Sequence, residues 1–361
     1  MNGCLRRRIG VTLSAAVFLL NYSPWVRAEA QNLIGEDAAQ TSAQGSGRML
    51  IPGGQVVGVA LKTEGVLVVA RGNKSDGGGE LRVGDVILSV RGSRVNSAKA
   101  LLAHVNASDS DIVEMDVLRR GKTVSVNALA VRDSADGPRR LGVWVRDSTA
   151  GVGTLSYIDP LSGAYGALGH AIVDGDTGDM VVVREGAILH ADVVGIARGD
   201  HGRAGEVRGS FLKENRQIGS LELNSVFGIY GVMDKLQGNA LYPDGLPAAG
   251  RSEVRVGPAQ ILATVDGGGM QAYDVEITKC VRQDEPAQKG ITLRVTDQRL
   301  LQKTGGIVQG MSGSPIIQNG KIVGAVTHVY LNDSTQGYGM YIEWMLEKSD
   351  RVVNDQRNKA A

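Results

Sequence analysis

Residues 305–329 read GGIVQGMSGSPIIQNGKIVGAVTHV, and this stretch decides what fold surrounds it. Asn319-Gly320 between two apolar runs signals a two-residue β-hairpin. Ahead of the hairpin stand Ser312 and Ser314. A nucleophilic serine on a tight turn needs neighbours without side chains, so that backbone N–H groups can point at a developing oxyanion. Gly310 and Gly313 meet that need for Ser312. The Ser314 hydroxyl would more simply stabilise the turn, with Pro315 restricting the backbone behind it. The plain alternative for the loop is a glycine-rich connection between two strands. The elbow pattern G-x-S-x-G is excluded, because its last position is Ser314 and no helix follows.

The rest of the chain agrees with a mainly β fold. Its 361 residues have room for two domains, and 50 glycines against few aromatics suit short strands joined by tight turns. From residue 141 to about 350 the segments LGVWV, VGTLSYI, DMVVV, AILHADVVGI, RSEVRV, AQILATV, AYDVEI, ITLRV and KIVGAVTHV are short, often apolar and separated by turn residues. That pattern predicts a sandwich or barrel. Only IEWMLEK near the end reads as a helix, and residues 351–361 read as a polar tail.

At the other end, Arg6, Arg7 and Arg8 precede the apolar run IGVTLSAAVFLL, and AEA at 28–30 offers a small-residue cleavage site. Residues 1–30 therefore read as an export signal; the run is short for a membrane span, and residues 22–26 leave retention as an anchor open. Losing this segment moves the formal charge from +1 to −2, and nothing suggests nucleic acid. Only Cys280 then remains, which excludes an intramolecular disulfide and leaves a buried thiol. Residues 31–48 are polar and aperiodic, a tether.

Residues 49–131 carry a Pro-Gly-Gly turn, apolar strands, the turn Gly84-Asp85, a helix AKALLAHV capped by Ser97, and a closing hairpin. This order resembles a PDZ domain, with residues 132–140 as linker. The resemblance implies an extended peptide added to a sheet edge beside the helix. Ile51, Pro52, Gly53 and Gly54 would form the carboxylate-facing loop, residues from Gln55 to 61 the edge strand, and Ala100, Leu101 and His104 the groove wall.

G-x-S-G-x-P before a hairpin resembles the nucleophile loop of chymotrypsin-like double-β-barrel proteases. On that resemblance Ser312 is the nucleophile, with the N–H groups of Gly310 and Ser312 as oxyanion hole. Of five histidines, His104 belongs to the first domain, His190 sits in a strand-like run, His201 in a loop, and His328 faces its own sheet. His170 follows small residues in GALGHAI, where an imidazole can serve as general base.

LNYSPWVRAEA, LIPGGQVVGVALKTEGVLVV, GALGHAI and VTDQRLLQKTGGIVQGMSGSPII together resemble the stage IV sporulation protein B family of exported serine peptidases. The resemblance implies a catalytic triad of His170, Asp297 and Ser312, with no cofactor and no metal. Asp174 and Asp176 are alternatives to Asp297, which lies only 15 residues before Ser312. Met311 replaces the acid that receives a new N-terminus in trypsin-type activation. The implied role is cleavage of a membrane-anchored regulator of an intramembrane metalloprotease, between forespore and mother-cell membranes, leading to late sigma factor activation. The PDZ ligand would be the enzyme's own segment or a partner tail. A non-catalytic PDZ-plus-barrel scaffold and a periplasmic-type quality-control protease are the alternatives.

Overall fold

The structure is a computed structural model that describes residues 47–72, 77–132, 134, 137–199, 204–211, 216–330 and 332–360. The export signal, nearly all of the tether, and His201 lie outside the described residues. No described helix is long and apolar enough to cross a membrane.

Two 16-residue strands, Val56–Arg71 and Val143–Ile158, tie the molecule together. They pair antiparallel from Val56↔Thr154 to Arg71↔Val143, with a register shift between Lys62 and Leu67. Gly65 lies at this shift with φ +78°, and a Cβ there would sit 2.4 Å from the Ile87 carbonyl oxygen. Only glycine fits this joint. On one side of it the strands belong to a barrel, and on the other to the PDZ unit.

The first barrel closes through Val56–Arg71, Val143–Ile158, Ala164–Ala167, Gly228–Val232, Gln217–Leu221 and Val183–His190. Gly219 bridges to Met233 to complete the ring. Its apolar filling is Val57, Val59, Leu61, Leu155, Tyr165, Ile188 and Ile229. The second barrel is closed by Gly257–Ala263, Gln271–Cys280, Ile291–Val295, Asp333–Tyr341, Lys321–Tyr330 and Pro315–Gln318. The hairpin read at Asn319-Gly320 joins Pro315–Gln318 to Lys321–Tyr330, with Gln318 opposite Lys321.

The PDZ unit is inserted in the first barrel. Its own core takes Val66, Val68, Leu81, Ile87, Leu101, Val105, Met115, Val117 and Val126, with Val143 and Val145 packed against it. Each such side chain stabilises by about 1.5–3 kcal/mol when fully buried. Residues 51–63, assigned to the PDZ unit on sequence, pair with strands of the first barrel instead, because Val56–Arg71 continues through both units, and Met49 and Leu50 pair with Pro247 and Leu246.

The polar tail is also corrected: the last helix runs Ile342–Ala360. Trp344, Met345, Leu346 and Val352 on it are buried, and the Tyr157 hydroxyl donates to Ser349 Oγ at 2.9 Å. A helix Gln298–Thr304, not legible in the sequence, starts at Asp297.

Candidate active site

The nucleophile loop of the second barrel lies against the first, where Thr154 holds it. The Thr154 amide donates to the Ser312 carbonyl at 3.1 Å, and its Oγ1 donates to the Gly310 carbonyl at 2.6 Å. Gly313 follows with φ +98°, where a Cβ would lie 2.1 Å from the Thr154 carbonyl oxygen and 2.6 Å from the Leu168 nitrogen. Glycine is obligatory at this crossing.

Those contacts bring the His170 turn against the loop. Leu168 and Gly169 are both left-handed, with φ +68° and +70°. Such backbone is costly for leucine, and strain of this kind concentrates at functional sites. The Leu168 amide donates to the Thr154 carbonyl, which fixes the turn. His170 Nδ1 lies 2.9 Å from the Ala171 carbonyl oxygen. A carbonyl only accepts, so the proton sits on Nδ1 and the Nε2 lone pair is left to act as base. Burial lowers the pKa of His170, which keeps it neutral at pH 7.

The Ser312 hydroxyl donates to the Thr327 carbonyl at 3.0 Å, so a proton donor is present and parked on backbone. Ser314 is fully buried and its Oγ has no partner among the described residues. Its main chain, rather than the expected hydroxyl, stabilises the turn: the amide donates to Met311 O and the carbonyl accepts from Val326 N. Burial removes Ser314 as rival nucleophile. Met311 is buried in the second barrel's core.

Asp297 is held within the second barrel by its own neighbours. Its carboxylate caps the Gln298–Thr304 helix through the Arg299 amide, accepts from the Asp274 amide, and pairs with the Arg299 guanidinium at 2.6 Å. Arg299 holds its pKa down at about 2. Asp174 and Asp176 are engaged too, both by Arg146, and Asp174 Oδ1 also accepts from the amides of Asp176 and Thr177. What faces His170 is an imidazole. His328, expected to face its own sheet, has its ring centroid 5.6 Å from that of His170. His190 lies elsewhere, exposed beside Asp192. Cys280 is half-buried, and burial raises its pKa, as for an unreactive thiol.

The peptide groove needs correction as well. Ile51 and Pro52 pair with Ile158 and Tyr157, and Gly53 and Gly54 donate to the carbonyls of Ser156 and Leu155. The Gln55 carbonyl accepts from Leu155, and the strand after it is paired on both sides, to Val143–Ile158 and to Val183–His190. A strand with both edges filled cannot add a peptide. Leu101 faces the PDZ core, and His104 lies on the same helix. The edge beside the helix Ala98–Asn106 is instead that of residues 143–147, paired among the described residues only to Val56–Arg71. Asp147 Oδ2 accepts from the Ala98 amide at one end of the helix, and Asn106 Oδ1 from the Arg139 amide at the other. Trp144 on this edge is 70% exposed.

Sequence reasoning missed Thr154, Arg146 and the place of His328. Each acts through a contact distant in sequence, and none carries a local signal.

Among curated proteins none matches this chain. Among solved structures the chain is similar to the active form of the Rv3671c protease from M. tuberculosis, at 16% identity over 56% of this chain and 74% of that one, TM-score 0.33. It is similar to the HtrA-type protease AlgW with a decapeptide, at 9% identity over 88% of this chain and 68% of that one, TM-score 0.34. A PDZ domain of an SdrC-like protein from Listeria monocytogenes matches at 19% identity over 23% of this chain and 87% of that one, TM-score 0.20. The family model for SpoIVB peptidase S55 matches residues 137–346. That span is more than half of the chain and holds His170, Asp297 and Ser312, so the protein belongs to the SpoIVB peptidase S55 family and is a serine endopeptidase.

Proposed function

We propose that Ser312 attacks a peptide carbonyl, His170 takes its proton and returns it to the leaving amine, and water hydrolyses the acyl-enzyme. The amides of Gly310 and Ser312 stabilise the oxyanion. The observation that carries this reading is the Thr154 clamp, which holds both carbonyls of the nucleophile loop and the His170 turn on one residue.

The substrate in this proposal is a membrane-anchored regulator that restrains an intramembrane metalloprotease. Cleavage occurs after export, between the forespore and mother-cell membranes, and leads to late mother-cell sigma factor activation. The family name supports the sporulation role. An extended tail, from this chain or a partner, adds to the edge at residues 143–147. Arg146 on that strand grips Asp174 and Asp176, and Gly84 of the PDZ turn approaches Asp179 Oδ2, so the edge is wired to the loop that follows His170.

The test is Ser312→Ala in the spore-former that makes the chain. Spore formation should halt where the late mother-cell sigma factor is switched on, and the metalloprotease should stay restrained. Normal spores from that strain would overturn the proposal.

A further inference from the structure

The strands Asp192–Ala197 and Glu206–Ser210 form a hairpin that leaves the first barrel and reaches the nucleophile loop. Its base is packed down on that barrel: a Cβ on Gly58 would stand 2.4 Å from the Phe211 ring, and one on Gly209 would stand 3.0 Å from Val152. Val207 is 1% exposed and shares one apolar core with Val308 and Met311. Beside that contact Glu206 bridges to Gln309 in parallel register. The Val207 amide donates to the Gln309 carbonyl and the Gln309 amide to the Gly205 carbonyl, each at 2.8 Å.

A trans peptide points its C=O and its N–H in opposite directions. With the Gln309 carbonyl turned to the hairpin, the N–H of the same peptide unit, that of Gly310, is turned away from it. The next unit is held as well, since the Gly310 carbonyl accepts from Thr154 Oγ1 at 2.6 Å. Gly310 has φ +94°, and a Cβ there would lie 3.0 Å from Val207 Cβ, so the left-handed backbone and the close hairpin both call for glycine. Among the described residues neither the Gly310 amide nor the Ser312 amide donates to a backbone carbonyl.

We propose that Gly205 and Val207 are positioning residues of the peptidase: their main chain locks the Gln309–Gly310 peptide so that the Gly310 N–H stands ready in the oxyanion hole. The proposal rests on the reading of Ser312 as nucleophile with the amides of Gly310 and Ser312 as its oxyanion hole. In the step, the Ser312 Oγ–H bond breaks, its proton passes to His170, and Oγ bonds to the substrate carbon. The π pair of the substrate C=O moves onto oxygen, which takes the negative charge that the Gly310 N–H meets. Donors aimed before the substrate arrives need no reorganisation at the moment of reaction. Glycine tolerates either sign of φ, so without the two hairpin bonds nothing in Gly310 itself keeps this peptide from turning over and presenting a carbonyl in place of the N–H. The hairpin holds no reacting atom and acts through Gly310.

The experiment is fluorophosphonate labelling of the exported chain, residues 31–361, resolved into a maximal rate and a half-saturating probe concentration. Val207→Pro removes the amide donor, which is spent on Gln309 and not on Ile196 across the hairpin, while Val207→Ala trims the same side chain and keeps the donor. Loss of a whole oxyanion donor costs on the order of 10²–10³ in rate, so a misaimed one should cost about 10- to 100-fold. The expected result is that loss of maximal rate in Val207→Pro, an unchanged half-saturating concentration, and a near wild-type rate in Val207→Ala. Equal rates in the two variants overturn the proposal, as does a loss in both that tracks a lower melting temperature. Should Val207→Pro not fold, residue-resolved hydrogen exchange on the wild type decides. The Val207 and Gln309 amides should be protected throughout, and the Gly310 amide should become protected only once Ser312 is phosphonylated. Fast exchange at Val207, or protection of Gly310 before labelling, overturns the proposal. If the wild-type chain labels nowhere while a control serine protease labels, the peptidase reading fails and takes this proposal with it. Labelling of wild type at Ser312 with equal rates in Val207→Pro and Val207→Ala overturns this proposal alone.

Discussion

Thr154 and Gly310 lie on different barrels, and a 2.6 Å hydrogen bond from Thr154 Oγ1 to the Gly310 carbonyl joins them. That bond orients the peptide unit next to the proposed oxyanion hole. Removing one oxyanion donor costs on the order of 10²–10³ in rate, and misorienting one costs part of that. Thr154→Val should therefore lower the maximal labelling rate of Ser312 by about 10- to 100-fold while the chain still folds. Steady-state labelling beside circular dichroism checks it, and a variant labelled at the wild-type rate would remove Thr154 from the account.

Ser314 separates nucleophile from neighbour. Its buried hydroxyl has no partner among the described residues, so Ser314→Ala deletes a desolvated group rather than a bond. The variant should keep full labelling and change stability by no more than about 1 kcal/mol. Thermal melting and labelling together decide the point.

The visible contacts of Asp297 are those of a stabilising cap. Asp297→Asn loses the pair with Arg299 and weakens the helix cap, with an expected cost of about 1–2 kcal/mol. Activity per folded molecule should stay within several-fold of wild type. A complete loss in a variant that melts normally would return Asp297 to the catalytic machinery.

Acid should weaken the fold in two stages. His170 and His328 have pKa values lowered by burial, His328 to about 3, so the unfolded chain takes up protons below about pH 6.5 while the folded chain does not. Their contribution is complete above pH 6.5 and drains as pH falls below it, for His328 down toward 3, at up to about 1.4 kcal/mol per pH unit for each histidine. Asp297 adds a second loss in the same direction at lower pH: its pKa is held down at about 2, so its contribution persists above pH 3.8 and is lost between there and 2. Melting temperature against pH should fall below 6.5, and less steeply in His328→Phe.

Arg146 joins the open PDZ edge to the loop after His170. Arg146→Ala should slow Ser312 labelling several-fold. Trp144→Ala, on the exposed edge, should leave labelling by the small probe unchanged and slow only cleavage of a protein substrate. Equal effects of both on labelling would argue against this route.

What was legible in the sequence was local. The Gly310–Gly313 loop, the Asn319-Gly320 hairpin and the small residues before His170 each carry a turn signal that needs no partner. The PDZ unit was legible from its Gly84-Asp85 turn and its helix. Its boundary was not, because Val56–Arg71 is a single apolar strand whose halves pack into different cores, and alternation alone does not show where a strand changes neighbours. Asp297 looked like a triad acid only by resemblance. The Gln-Arg-Leu-Leu run after it forms one short helix that claims the carboxylate as its cap. His328 was hidden in an apolar strand where its facing residue, His170, lies 158 positions away.

The central claim is that Ser312 is an activated nucleophile with His170 as its base. The most direct measurement is incubation of the mature chain with a fluorophosphonate probe, mapped by mass spectrometry, beside Ser312→Ala, Ser314→Ala and His170→Ala. The account expects labelling at Ser312 in wild type and in Ser314→Ala, and none in the other two. Labelling at Ser314, or at Ser312 with undiminished rate in His170→Ala, would contradict it.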